Sequence, residues 1–387
     1  MKKFVVFSVV ALAALASCTK VEVNNNLEQK AISFQTANYT TKVTGSEFPN
    51  TETFGTYAWT AGTTGEYFIE NKEVAFDGTQ WTTATPYYWP KNQTVDFFSY
   101  YPYNATGAVP VVSKDSIKYN AVNFTTTQLD IMYADKAVGY TDNANQVEDV
   151  VNAYEGVPTF FRHAGCKVKV NVILGENEKT EGDGTITKWD VTLKSVMLSG
   201  IYVKGDCKLT LSSTDNGIIP WTKPVVTVSD TSIVAAPVDV NVWAADTSLV
   251  NDVNNTLYTD VQERILVKNQ GQTVIGTSIG NDQYDGVYML PQVLVPGKQK
   301  ITLTCKVTTY RKAPGATDFV QTLVQDNVVV SANLLIKDVN NPIYAWQMNQ
   351  NIVYNITIGP AGKQITFDPA VDAWENKTVA TNIELEI

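Results

Sequence analysis

The amino-acid sequence predicts an all-β protein: two tandem antiparallel β-sandwich domains that follow an export signal and a flexible tether. Three observations lead there. After residue 30 almost every apolar segment alternates with small or polar residues, the period of a strand with one buried face. No segment keeps a helical 3.6-residue period for more than two turns, and clusters of Gly, Asn, Asp and Pro punctuate the alternating runs. At 387 residues the chain also exceeds one ordinary domain of roughly 100 to 200 residues.

The first residues follow the logic of a secretory signal. Lys2 and Lys3 form a basic end, Phe4 to Ala16 an apolar run, and Leu15-Ala16-Ser17-Cys18 closes it. The run is shorter than the ~20 apolar residues that span a bilayer. A Cys directly after small residues is what a lipoprotein signal needs, because its thiol receives the diacylglycerol, so residues 1–17 read as a lipoprotein signal peptide and Cys18 as the lipidation site. Two or more acyl chains give stable anchoring. The newly processed protein is therefore expected on a membrane. Residues 18–30, with three consecutive Asn and no apolar period, read as a tether.

The first sandwich is expected over residues 31–215. In Ala31-Ile32-Ser33-Phe34-Gln35-Thr36 the apolar Ile32 and Phe34 alternate with small or polar neighbours, and Lys42 lies just beyond. Strands follow at Phe54 to Trp59, Val74 to Phe76 and Thr79 to Thr83, then two aromatic runs at Tyr87 to Pro90 and Val95 to Tyr103. Residues 105–155 are looser and read as a long connection with room for a helical turn. Cys166 to Leu174, Trp189 to Leu198 and Lys208 to Leu211 complete about seven strands, enough for two packed sheets. Turn residues over 212–223, together with Pro220 and Pro224, then suggest a boundary, and a second series of alternating segments over 216–387 reads as the second sandwich.

Removing residues 1–17 takes away Lys2 and Lys3 and no acid, leaving 27 basic against 39 acidic side chains, a net charge of −12. Such a surface repels phosphate backbones, which argues against a nucleic-acid partner. Cys166, Cys207 and Cys305 each share a strand face with aliphatic residues, and no CxxC or CxxxH spacing exists. Free buried thiols are expected, with a Cys166–Cys207 disulfide the alternative in an oxidising compartment. His163 is the only histidine, so any Ser-His-Asp or Cys-His relay would have to use it; a structural role is the simpler reading. The acidic loop near Asp142 lacks the central Gly and terminal Glu spacing of a calcium loop. No metal, cofactor or catalytic residue is expected. The aromatic runs 87–89 and 97–103 could stack on sugar rings, but adjacent aromatic residues point to opposite faces, which fits core packing better.

Several phrases, taken in order, resemble one family. They are ISFQT followed by a basic residue, FGTYAW, YYWP with FFSYYP, FFRHAGCKVKVNV, VTLKSVMLSG, YMLPQVLVPGKQKITLTCKV, WQMNQNIVYNITIG and ITFDPAVDAW. Together with the lipoprotein signal they are similar to the fimbrillins, subunits of Bacteroidetes-type type V pili, across almost the whole mature chain. The resemblance implies two transthyretin-like sandwiches, export as a lipoprotein, proteolytic removal of the first strand at the cell surface, and polymerisation by strand exchange with other fimbrial subunits. It would match the removed strand to Ala31 to Tyr39, with Ile32 and Phe34 inward, and the cut to the region of Lys42. The family's familiar protease cuts after Arg, whereas the first Arg here is Arg162, so cleavage after Lys42, after Lys30 or not at all stays open.

The physical case for exchange stands beside the resemblance. A domain that loses a strand exposes an apolar groove and unpaired edges, which template an incoming strand. The carboxy-terminal residues offer one. Along Val379, Thr381, Ile383, Leu385 and Ile387 one face is largely aliphatic, while Glu384 and Glu386 fall on the other. Burying the three aliphatics is worth on the order of 5 to 9 kcal/mol. The alternative for this segment is the last strand of its own domain. For the whole chain the expected function is a fimbrial subunit of the outer membrane and extracellular fimbrium, supporting adhesion and biofilm. The alternative is a lipid-anchored, non-polymerising adhesin that binds glycan or host protein.

Overall fold

The computed structural model describes residues 31–38, 48–61, 66–141, 156–210, 221–222, 225–228, 231–234, 236–245, 264–266, 268, 271–273, 286–335, 343–359, 365–366, 375–377 and 382–383. Among them every regular element is a strand and there is no helix, as the alternation requires. The first run holds β1 (Phe34–Asn38), β2 (Phe54–Thr60), β3 (Ile69–Phe76), β4 (Trp81–Thr83), β5 (Val95–Tyr101), β6 (Val111–Ser113), β7 (Ser116–Asn123), β8 (Met132–Ala134), β9 (Ala137–Tyr140) and β10 (Val157–His163). The middle run holds β11 (Cys166–Leu174), β12 (Glu178–Thr180), β13 (Ile186–Ile201), β14 (Lys204–Thr210), β15 (Trp221–Thr222), β16 (Val225–Val228), β17 (Thr231–Val234), β18 (Val238–Ala244), β19 (Arg264–Ile265) and β20 (Gly271–Thr273). Then come β21 (Val287–Met289), β22 (Gln292–Val293), β23 (Lys300–Lys312), β24 (Val320–Asn333), β25 (Ala345–Trp346), β26 (Gln350–Ile358), β27 (Ile365–Thr366), β28 (Glu375–Lys377) and β29 (Asn382–Ile383).

One sheet runs β2-β3-β4-β1-β10-β8-β5-β9, and β5 pairs back onto β2, so the sheet closes into a barrel. Its interior is aromatic: Phe34, Phe54, Phe97, Phe161, Trp81 and Trp89 are all 6% exposed or less. A second sheet, β15-β14-β7-β6, covers the outer face of β2, β5 and β8. Tyr57, Trp59, Phe98, Tyr100 and Tyr133 point outward from the barrel into this layer, against Ile117, Tyr119, Val122, Cys207 and Leu209. Two buried faces explain why the aromatic runs show no polar side; β2 is buried at every position. The approach is close at Gly55, where the Tyr100 ring lies so near that an added Cβ would meet it at 2.2 Å.

The expectation of a connection with a helical turn over 105–155 is overturned within 111–140 by β6, β7, β8 and β9, while residues 142–155 lie outside the described residues. In β7 the alternation of Ile117 and Tyr119 breaks at Ala121, whose φ is 50°, and the register against β14 shifts there. This bulge hides the strand period, because Val122 returns to the buried face one residue out of step. Between β8 and β9 the pair Asp135-Lys136 interrupts the other apolar run.

The second core is built from two facing sheets. β11 runs parallel to β26 from Lys167–Asn351 to Leu174–Ile358, and its inward Cys166, Val168, Val170 and Val172 are fully buried. Opposite lie β13 and β23, antiparallel along Ile186–Ser199, with Leu193, Val196, Leu303 and Cys305 in the same core. A register shift between Leu193 and Ser195 keeps both Leu193 and Val196 inward although they are three residues apart. Trp346 Nε1 donates to Tyr354 Oη at 2.9 Å, and that hydroxyl donates to Leu334 O at 3.1 Å, so the polar atoms of these two buried rings are satisfied.

The boundary expected at 215/216 does not coincide with the packing. β11 and β13 precede it, yet they pair with β26 and β23 beyond it, while β14 returns to pair with β7. Alternation in CKVKVNV and VTLKSVML shows that one face is buried, and it carries no information about which distant sheet covers that face. The two cores are tied at their junction by Gln128, which bonds both the N–H and the carbonyl of Tyr288 at 3.0 Å, and by Gln292, which does the same for Tyr202. Cys166, Cys207 and Cys305 are free and buried; burial pushes the Cys305 thiol up to about 12 and raises the other two as well. Cys166 and Cys207 sit in different apolar clusters.

Candidate functional site

β1 completes the barrel wall. Ile32 N–H donates to Tyr87 O at 2.8 Å, Val157 N–H donates to Ser33 O at 2.8 Å, and Phe34 to Asn38 then run parallel along Val157 to Phe161. The alternation read from the sequence is realised here: Ile32 is 2% and Phe34 4% exposed, while Gln35 faces solvent. The Phe34 ring meets Phe54 and Phe97 edge-on, with centroids 5.8 and 5.7 Å apart. Each such pair adds about 0.5 to 1.5 kcal/mol to the burial itself.

The two sides of β1 are held unequally. Against β10 the pairing covers five consecutive residues; against β4 it consists of Phe34 opposite Trp81. Beyond Phe34 the edges of β1 and β4 diverge and leave a cleft of about 410 Å3 lined by Gln35, Thr36, Phe48, Asn50, Gln80 and Trp81 among others. The β3–β4 turn that sets this wall is held by Asp77, whose Oδ1 accepts from the N–H groups of Thr79 and Gln80 at 2.8 and 2.9 Å; these bonds hold its carboxyl below the usual range.

Gly156 stands where β1 enters the sheet. A Cβ there would lie 2.8 Å from Ser33 O and Phe34 C, both backbone atoms that cannot swing aside. Its place therefore depends on space. Gly156→Ala is expected to weaken the seating of β1 by about 1 to 3 kcal/mol, read as faster hydrogen exchange at residues 32–36 with β2 and β5 unchanged; equal exchange in both proteins would show that the entry point yields.

On the far side of β10, Arg162 donates from Nε and Nη2 to Asp135 at 2.9 to 3.2 Å, and His163 Nδ1 lies 2.6 Å from Asp130 Oδ1. His163 thus ties the end of β10 to the segment before β8. Among the described residues no group of three or more His, Cys, Asp or Glu is placed to hold a metal ion. The aromatic runs lie in the core: Trp89, Phe97, Phe98 and Tyr100 are buried, and of the residues 87–89 and 97–103 Tyr88 alone is largely exposed, at 46%.

Of the residues expected to act in assembly, Cys18, Lys42, Val379, Thr381, Leu385 and Ile387 lie outside the described residues. Ile383 belongs to β29, whose backbone pairs antiparallel with β27, Ile383 opposite Ile365, in the neighbourhood of β24. The sequence missed Phe48 and Gly156. Phe48 stands alone in SEFPN with no alternating neighbours, and a glycine needed for a close approach looks like any loop glycine.

Among curated proteins none matches the chain by sequence. Among solved structures, a fimbrial protein from Bacteroides vulgatus is similar over 89% of this chain and 99% of its own, at 14% identity and a TM-score of 0.48. The tip fimbrial protein Mfa3 from Porphyromonas gingivalis, with C-terminal truncation, is similar over 86% of this chain and 94% of its own, at 11% identity and a TM-score of 0.34. The sequence model of the fimbrillin-like family matches residues 41–374, most of the chain and both of its sheet systems, and the chain belongs to that family.

Proposed function

We propose that this chain is a structural subunit of a surface fimbria, exported as a lipoprotein on Cys18, relieved of β1 by a cut at or near Lys42, and polymerised when a strand of another subunit takes the place of β1. One observation carries the reading: a single strand near the start of the chain closes the barrel between β10 and β4 and buries Ile32 and Phe34 in its core. Withdrawing it would bare two unpaired edges and an apolar slot, the surface that recruits an extended segment. The alternating segment 378–387 is the proposed donor, with Val379, Thr381, Ile383, Leu385 and Ile387 on one face. Family membership supports a fimbrial or adhesive surface role without catalysis. The chain is read as two transthyretin-like modules. The strand pairing favours a division near residues 164–165, with β14 and β15 returning to the first module.

Limited trypsin digestion followed by intact mass tests the cut, and gel ladders resistant to SDS test the assembly. Ladders are expected once residues up to Lys42 are gone, and they are expected to vanish when Thr378 to Ile387 is deleted. Monomers that persist after complete removal of β1 would overturn the shaft-subunit reading; ladders unaffected by the deletion would move the donor elsewhere.

A further inference from the structure

The inward positions along residues 32–36 are two large apolar side chains, Ile32 and Phe34, and then the much smaller Thr36. The first two are buried, and Thr36 is only partly so. The cause of the step is Phe48. It is 1% exposed and stacks on Phe161 at 4.9 Å and 28°, with Trp81 at 5.3 Å and Tyr101 at 5.2 Å around it. Phe161 is the β10 residue opposite Asn38, two beyond Thr159, which is opposite Thr36. The barrel interior beneath the second half of β1 is thus filled by a ring that β1 does not supply. Phe48 also follows Lys42 in the chain, whereas Ile32 and Phe34 precede it. A cut after Lys42 would remove those two side chains and leave Phe48 joined to the barrel.

We propose that Phe48 is a register stop in the slot that β1 occupies. The slot accepts an extended strand with two large apolar side chains two residues apart, followed at the next inward position by one no larger than threonine. Gly156 bounds the other end, since it lets the backbone of residues 33 and 34 pass against it. For β1 itself this follows from the packing. For a replacement strand from another copy of this chain it rests on the exchange reading above, and it means that Ile383, Leu385 and Ile387 do not occupy three successive inward positions of the slot.

The test uses the uncut, full-length chain, with hydrogen exchange read at residues 32–38 and with β2 and β5 as the internal reference. In Thr36→Phe the new ring competes with Phe48, and β1 amides are expected to exchange on the order of tenfold faster while the reference holds. Phe48→Ala leaves a cavity and also speeds exchange. In the double variant the new ring takes the vacated volume, and protection recovers above that of Thr36→Phe alone, a non-additive result. Unchanged protection in Thr36→Phe would show that the cleft takes the ring and would overturn the proposal. So would two effects that simply add, or a loss that spreads to the reference and is not rescued. Because no cut is involved, coupling without later polymer would retire the exchange reading and leave the register stop standing; polymer without coupling would do the reverse.

Discussion

Replacing Phe34 by alanine is expected to open β1 at least a hundredfold more often. The ring is 4% exposed and packs edge-on against Phe54 and Phe97, and it sits where β1 pairs with β4. Truncating a buried Phe costs about 3 to 5 kcal/mol, the sum of lost transfer energy and the cavity left behind. β1 belongs to one end of the chain and is anchored mainly along one neighbour, so the cost falls on a local opening rather than on global unfolding. Hydrogen exchange at residues 32–38 would lose about two orders of magnitude of protection, and proteolysis before Phe48 would accelerate in step. Gln35→Ala, on the solvent face, is the control and should stay within about 0.5 kcal/mol. Equal protection in Phe34→Ala and the parent would show that main-chain pairing with β10 holds β1 by itself.

A fragment ending at residue 215 is expected not to fold cooperatively. It would carry β11 and β13 without β26, β23 and β18, leaving Val168, Val170, Val172, Leu193, Val196 and Leu198 without their cover. At about 1.5 to 3 kcal/mol for each buried aliphatic side chain, the loss is on the order of 9 to 18 kcal/mol. That is comparable to the roughly 5 to 15 kcal/mol by which a whole domain is stable. Broad thermal melting, strong binding of an apolar dye and poor dispersion of amide signals are the expected readouts, against a sharp transition for the intact chain. A sharp transition in the fragment would mean that its strands find another partner.

Much of the candidate site is legible in the order of its residues. Ile32 and Phe34 announce an inward face because side chains alternate across a strand, and both lie in the core. The aromatic runs announce core packing for the same reason, since Phe97 and Phe98 must point to opposite faces, and both faces are covered. Less legible are the strands from 111 to 140, where the bulge at Ala121 and the break at Asp135 spoil the period that marks a strand. Phe48 gives no signal because it belongs to no periodic run; its importance comes from Phe161, Trp81 and Tyr101, which only the closed barrel brings around it.

By itself the sequence determined the all-β class, the inward faces of most strands, the burial of three cysteines and the alternation of the first and last segments. These follow from local period and composition, which need no knowledge of what lies across the core. Only the tertiary structure decided that β11 and β13 share a core with β23 and β26, that β14 crosses back to β7, and that β1 runs parallel to β10 and closes a barrel. Those are choices of partner between segments far apart in the chain, such as those of Asn171 and Asn355, whose side chains are joined by a 2.7 Å hydrogen bond. A strand's alternation states that a face must be covered; the packing of the whole chain selects the cover, because many apolar faces of similar period compete for each place.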